Sequence, residues 1–212
     1  GGELEATFIT SHWHFDHQNI CGENGFVPNR KHFKSVEEMN DEIIKQINSV
    51  ATKEDVLYHL GDIGLGKPKR LFELLERINP RMVLVAGNHD SLTKTMKYIA
   101  NNNYVVDKHG NMRYTIHEVG TRHKQNGKVY LLSHYPLGLG DQRINLRNFC
   151  GHIHENAPYG ANVMNVGVDS PELPDDLPFG QPLRIEKAIE VVEEKWTSIM
   201  NDMSESDKKR YS

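Results

Sequence analysis

The sequence predicts an α/β protein, a layered α/β/β/α sandwich of two mixed sheets flanked by helices. Three observations carry that expectation. In the first half, short apolar runs alternate with segments of helical periodicity, the pattern of strands joined through helices. In the second half strand follows strand, and Asn126-Gly127 between two β-rich runs is a hairpin signal. Finally, residues able to bind metal or move protons collect where apolar runs stop, and open sheets gather their ligands at such strand ends.

Residues 6–10 read as a short buried strand that stops at His12-Trp13-His14. Ser35 and Glu38 form a capping box opening a helix, with Val36, Met39, Ile43, Ile44 and Ile47 on one face. Residues 56–60 are a second strand, ended by Gly61-Asp62. Pro68 suits the first turn of the next helix, whose packing face is Leu71, Phe72, Leu74, Leu75 and Ile78. Residues 82–86 make a third strand, ending in Gly87-Asn88-His89-Asp90, and a helix spans 93–100. Strands follow over 114–119, 129–132, 148–151 and 161–166; Ser133-His134 ends the second of these and Gly151-His152-Ile153-His154 the third. Residues 171–182 carry four prolines and read as an irregular surface segment. Ile185, Ile189, Val192, Trp196 and Ile199 step by helical intervals, so an amphipathic helix closes the chain. Gly1-Gly2, with no Met, are set aside as a cloning remnant. Residues 3–203 are expected to form one domain, and 204–212 a charged, frayed tail.

A chain of 212 residues is long enough to bury a substantial core as one domain. Its formal net charge of −4 gives no general attraction to nucleic acid or to membranes. Arg30, Lys31, Lys34, Lys67, Lys69 and Arg70 lie near two of the clusters and leave a local basic rim open, against the alternative of an ordinary solvated surface. No apolar run approaches the roughly 20 residues that span a bilayer. With no signal-like segment either, the expected location is the cytoplasm. Cys21 and Cys150 have no paired spacing and are expected to be free thiols in a reducing compartment. Histidine is the distinctive residue. Of 12, seven lie in or beside the clusters: His12, His14, His17, His89, His134, His152 and His154.

The five clusters differ in chemistry. Asp62 could bridge two cations through its two oxygens, beside a glycine that lets the backbone turn tightly. Asn88 offers a neutral oxygen ligand, His89 a proton donor, and Asp90 a carboxylate able to fix a neighbouring imidazole in one tautomer. His152 and His154, two apart, would project to one side of an extended segment and share a metal site. His134 fits a further strand-end ligand. Each alone is an ordinary polar residue; together, in order, they describe a site for metal ions.

In this order the clusters resemble the calcineurin-like metallophosphoesterases, whose motifs run Asp-x-His, Gly-Asp, Gly-Asn-His-(Asp/Glu), His and Gly-His-x-His. The resemblance covers Phe8 to about Asp169. A further resemblance is to small stand-alone bacterial and phage members, through Phe15-x-His17, Glu38-Met39-Asn40, Tyr58-His59-Leu60-Gly61-Asp62 and Asn165-Val166-Gly167-Val168-Asp169. The resemblance implies a two-metal phosphodiesterase or phosphatase, with in-line attack by a metal-bridging hydroxide. By that likeness metal one takes His12, His14, Asp62 and His154, and metal two takes Asp62, Asn88, His134 and His152. His89 protonates the leaving alcohol and Asp90 orients His89. The ions would be Mn, Fe, Ni, Zn or Co, and the partner a small phosphate ester or nucleotide. Trp13, Phe15, Phe26 and Tyr135 are available to stack a base.

The departure is His12, where the family has Asp. It could serve as a nitrogen ligand, since imidazole suits iron, zinc, nickel and cobalt. It could instead weaken metal one, or leave the site to Asp16. Two divalent ions, two carboxylates and a hydroxide sum to roughly +1, and losing one carboxylate leaves roughly +2, which disfavours hard cations. Two rival readings stay open: a binding scaffold of the same fold without catalysis, and a metallo-β-lactamase-like zinc hydrolase through His12-x-His14-x-Asp16-His17.

Overall fold

The computed structural model describes residues 5–139, 145–203 and 205–209. Gly1-Gly2, Ser204 and residues 210–212 lie outside them. The chain is α/β, with two mixed sheets flanked by helices. The first sheet has the order β4-β3-β2-β1-β9, built from β1 (Thr7–Thr10), β2 (Val56–His59), β3 (Arg81–Val85), β4 (Tyr114–His117) and β9 (Leu183–Arg184). β1 to β4 are mutually parallel and β9 runs antiparallel to β1. The second sheet has the order β5-β6-β7-β8: β5 (Gly120–Gln125), β6 (Lys128–Ser133), β7 (Leu146–Cys150) and β8 (Val163–Asn165). β6, β7 and β8 are parallel, and only β5 opposes its neighbour.

Alternation along the strands divides the core in two. In β1, Phe8 faces the helices and Ile9 faces the other sheet. On the helical side, α1 (Val36–Val50) contributes Met39, Ile43 and Ile47, and α2 (Pro68–Glu76) contributes Phe72, Leu74 and Leu75. α3 (Leu92–Asn102) adds Tyr98, stacked on Phe72. Between the sheets lie Ile9, Leu60 and Val85 against Tyr130, Leu132, Phe149 and Met164. α4 (Ile185–Asp202) closes that layer with Ile185, Ala188, Ile189 and Val192.

Several expectations are met with small differences. Ser35 caps α1 by accepting from the Glu38 N–H at 3.1 Å, whereas the Glu38 carboxylate accepts from Lys34, one residue earlier than a capping box requires. Asn126 (φ 52°) and Gly127 (φ 74°) make the β5–β6 turn, both left-handed as a type I′ hairpin demands. The expected strand 114–119 ends at His117, because the chain then crosses from the first sheet to the second. β9 was not expected; a two-residue strand is too short to have a period. Residues 205–208 of the expected tail form one more helical turn, α5 (Glu205–Lys208). No helix among the described residues is long and apolar enough to cross a membrane.

Because the strands bearing the clusters are parallel within each sheet, their carboxyl ends meet at one rim. Replacing the cap with Ser35→Ala should cost about 1 kcal/mol. Urea unfolding would read the loss.

Candidate metal centre

Beyond β1 the chain keeps its pairing to the segment after β2. The N–H groups of His12, His14 and Phe15 donate to the carbonyls of Gly61, Asp62 and Ile63 at 3.0, 3.1 and 2.7 Å. Trp13 and Phe15 point into the core and are fully buried, which turns His12 and His14 to the opposite side. These aromatics therefore pack rather than stack a ligand. Of the four considered, Phe26 and Tyr135 remain exposed at the rim. Phe26 lies edge-on to His154, and Tyr135 edge-on to His152 and His134.

The backbone at the site is unusual. His12, His14, Asp62, His152 and His154 all have left-handed φ, between 49° and 68°; the other two such non-glycine residues among those described are Asp16 and Asn126. Each such residue costs of order 1–3 kcal/mol and persists only where surroundings over-determine it. At this rim they do. Arg30, expected near a basic surface, is wholly buried and paired with Asp169 at 2.9 Å. Its guanidinium also donates to the carbonyls of His12 and Trp13. Asn165 donates to the His154 carbonyl at 3.0 Å. Gly61 (φ 103°) leaves no room for more: a Cβ there would stand 2.5 Å from His134 Nδ1.

Asp90 is the clearest correction. Instead of orienting His89, its carboxylate accepts three backbone N–H groups, from Asp62 and Gly87 at 2.8 Å and Ile63 at 3.0 Å. It ties the turn after β3 to the turn after β2. Burial raises its pKa to about 6, against the pull of these bonds. His89 stays exposed, its own N–H donating to Asp62 Oδ1 at 3.0 Å.

The expected ligands converge. Two groups place their ligand atoms within 4.8 Å of one another: His12, Asp62, His134 and His152, and His12, His14 and His154. Asn88 joins the first, with Oδ1 at 2.8 Å from His134 Nε2 and 3.2 Å from His152 Nδ1. His12 touches both groups, and Asp62 Oδ2 lies between them, 3.5, 3.8 and 3.6 Å from Nε2 of His12, His14 and His134. Asp16 turns away to Asn40 (2.8 Å) and Arg70 (3.2 Å), and neither it nor His17 joins a ligand group. That removes both the compensating role considered for Asp16 and the ligand pattern of the metallo-β-lactamase reading.

Burial lowers the pKa of His12, His134 and His154 and brings His14 down to about 2, so these rings are neutral and hold lone pairs. His134 Nδ1 donates to the Leu60 carbonyl at 2.8 Å, which leaves Nε2 without a proton. Its near neighbours Asn88 Oδ1 and Asp62 Oδ2, the latter at 3.6 Å, are acceptors too. Asp62 Oδ2 is buried with no hydrogen-bond partner, as is His154 Nδ1. Acceptors crowded without donors are what a cation would satisfy, so the donor set around Asp62, Asn88, His134 and His152 fits a metal ion.

No known family profile matches the chain. Over 103 residues it is 39% identical to an uncharacterized protein of Methanocaldococcus jannaschii, a stretch that covers 48% of this chain and 56% of that protein. The chain thus spans about half the length of the curated relative it matches. Its fold is shared with a protein of unknown function from Aquifex aeolicus, at TM-score 0.58 and 21% identity over 88% of this chain and 99% of the other. A fainter likeness, TM-score 0.41 and 14% identity over 77% and 83%, is to an archaeal phosphodiesterase and is too slight to argue from.

His59 gives the site a measurable pH signature. It is fully buried behind the rim, accepts from the Gly61 N–H at 3.1 Å, and burial lowers its pKa to about 3. In the unfolded chain it protonates near its ordinary value of about 6.5, so between those values acid favours unfolding. From pH 7 to pH 5 the native protein should lose about 2 kcal/mol more stability than His59→Gln, whose amide oxygen can still accept from Gly61. Equal losses in urea titrations at the two pH values would rule this out.

Proposed function

We propose that the chain is a metal-dependent hydrolase of phosphoric esters, of the calcineurin-like metallophosphoesterase type, acting on a small phosphodiester or nucleotide in preference to a monoester. The observation that carries this reading is the crowd of acceptor atoms from Asp62, Asn88, His134 and His152 beside the exposed His89. A divalent ion held there would acidify a water and polarise a phosphoryl oxygen.

The protein's own groups have distinct tasks in this proposal. His89, fixed through its backbone to Asp62, stands at the open rim to give a proton to the leaving alcohol. Asp90 acts at one remove by holding the turns that bear Asp62 and His89. A cavity of about 190 Å³ opens beside His89, lined in part by Ile63, Leu71, Phe72, Leu75 and Lys94. It offers a place for part of the leaving group, with an apolar floor and one cation. Phe26 and Tyr135, both exposed at the rim, are available to stack a nucleobase. A second reading, a scaffold that binds without turnover, is favoured by the imidazole of His12 in place of a carboxylate.

Assays with bis-p-nitrophenyl phosphate and p-nitrophenyl phosphate, each with Mn²⁺, Ni²⁺, Zn²⁺ or Fe²⁺, separate the two. Turnover is expected with at least one metal and lost in His134→Ala. His89→Ala should lower kcat by about 100-fold for an alkyl ester and much less for nitrophenyl esters, whose leaving groups need little protonation. No turnover in either the native chain or His12→Asp, with any metal, would end the hydrolase reading.

A further inference from the structure

We infer that this chain holds one metal ion, not two: His12 closes the first metal position on itself, and the ion sits among Asp62, Asn88, His134 and His152. The inference rests on the reading of the rim as a metal centre, and its basis is how protons are distributed among the histidines.

The backbone N–H of His152 donates to His12 Nε2, so that nitrogen carries a lone pair and the proton lies on Nδ1. His12 Nδ1 is 3.0 Å from His14 Nε2 and donates to it. His14 Nε2 is then an acceptor, which puts its proton on Nδ1, 3.2 Å from His17 Nδ1. Along this chain each donor meets one acceptor. Both ring nitrogens of His12 and both of His14 are used within the protein, and the lone pair His14 would give a metal is already spent. His154 Nδ1, by contrast, is buried and unpartnered.

The ring also fills the space. It is 1% exposed, stacked on His134 at 5.2 Å, and edge-on to His154 at 4.7 Å. Gly151 walls it closely: a Cβ there would stand 2.9 Å from His12 Cδ2. An Asp at this position would reverse the balance. A carboxylate has no proton for His14, so with His14 in the same tautomer two acceptors would face each other and a cation would satisfy both. The N–H at His12 Nδ1, on a neutral ring, supplies the donor that His14 Nε2 would otherwise lack. In the second group a single proton, on His152 Nδ1, faces two acceptors at 3.2 Å, His134 Nε2 and Asn88 Oδ1, and Asp62 Oδ2 has none to accept.

The test is metal content rather than activity. Chelator-stripped protein is dialysed against Mn²⁺ alone and its bound metal counted by mass spectrometry, with electron paramagnetic resonance to distinguish isolated from spin-coupled ions. One equivalent with an isolated-ion spectrum is expected for the native chain and for His14→Ala, and loss of that equivalent for His152→Ala. His12→Asp should bind two, with a coupled spectrum. Two equivalents of similar affinity in the native chain, or a lower content in His14→Ala, would overturn the inference while leaving the metal centre intact. No bound metal in the native chain would overturn the metal centre itself, and the inference with it. The His14→Ala and His152→Ala comparison decides the matter even where His12→Asp does not fold.

Discussion

Left-handed backbone at five positions of the site is the constraint on which this rim depends. It turns His12, His14, Asp62, His152 and His154 toward a common point, and it is costly enough that hydrogen bonds must hold it. The braces are buried polar groups drawn from far along the chain. Arg30, held by Asp169 from 139 residues away, donates to the carbonyls of His12 and Trp13. Asp90 binds the amides of two neighbouring turns at once, and Asn165 holds the carbonyl of His154. Removing one partner of such a pair leaves an uncompensated buried charge. The ligand geometry and the stability of the rim are therefore two aspects of one network.

How the sheets are built explains why the network is possible. Parallel strands in both sheets deliver their carboxyl ends to the same edge, and two apolar layers, one on each side of the first sheet, fix the strands that end there. Trp13 and Phe15 extend the core to within one residue of His12 and His14. Burial in turn keeps the histidines neutral, which suits them to share lone pairs and single protons rather than charge.

Much of this was legible in the sequence, for identifiable reasons. Helices such as α1 and α4 repeat their apolar positions over many residues, and Asn126-Gly127 can be read from two residues alone. Ligand clusters at strand ends were visible because glycine and histidine stop an apolar run. The braces were not. Nothing in one sequence distinguishes the buried Arg30 from the exposed Arg70, since both sit among charged neighbours and only the partner 139 residues away tells them apart. Asp90 was misassigned because adjacency to His89 suggested a contact between side chains, whereas the turn points its carboxylate at backbone amides. His12 belonged to both ligand groups for a similar reason: which ring nitrogen faces which neighbour is set by the His152 amide, 140 residues on.

Trp13 lies in this architecture between two of the histidines, its indole 4.1 Å from the His59 ring and its Nε1 without a hydrogen-bond partner. The other tryptophan, Trp196, stacks over Arg147 from α4. The chain thus carries an intrinsic chromophore wired into the backbone of the first cluster, and a second one set against a guanidinium on another element. Any rearrangement of that cluster must pass through the electronic surroundings of Trp13, so the protein's own emission is a label-free view of events at its rim.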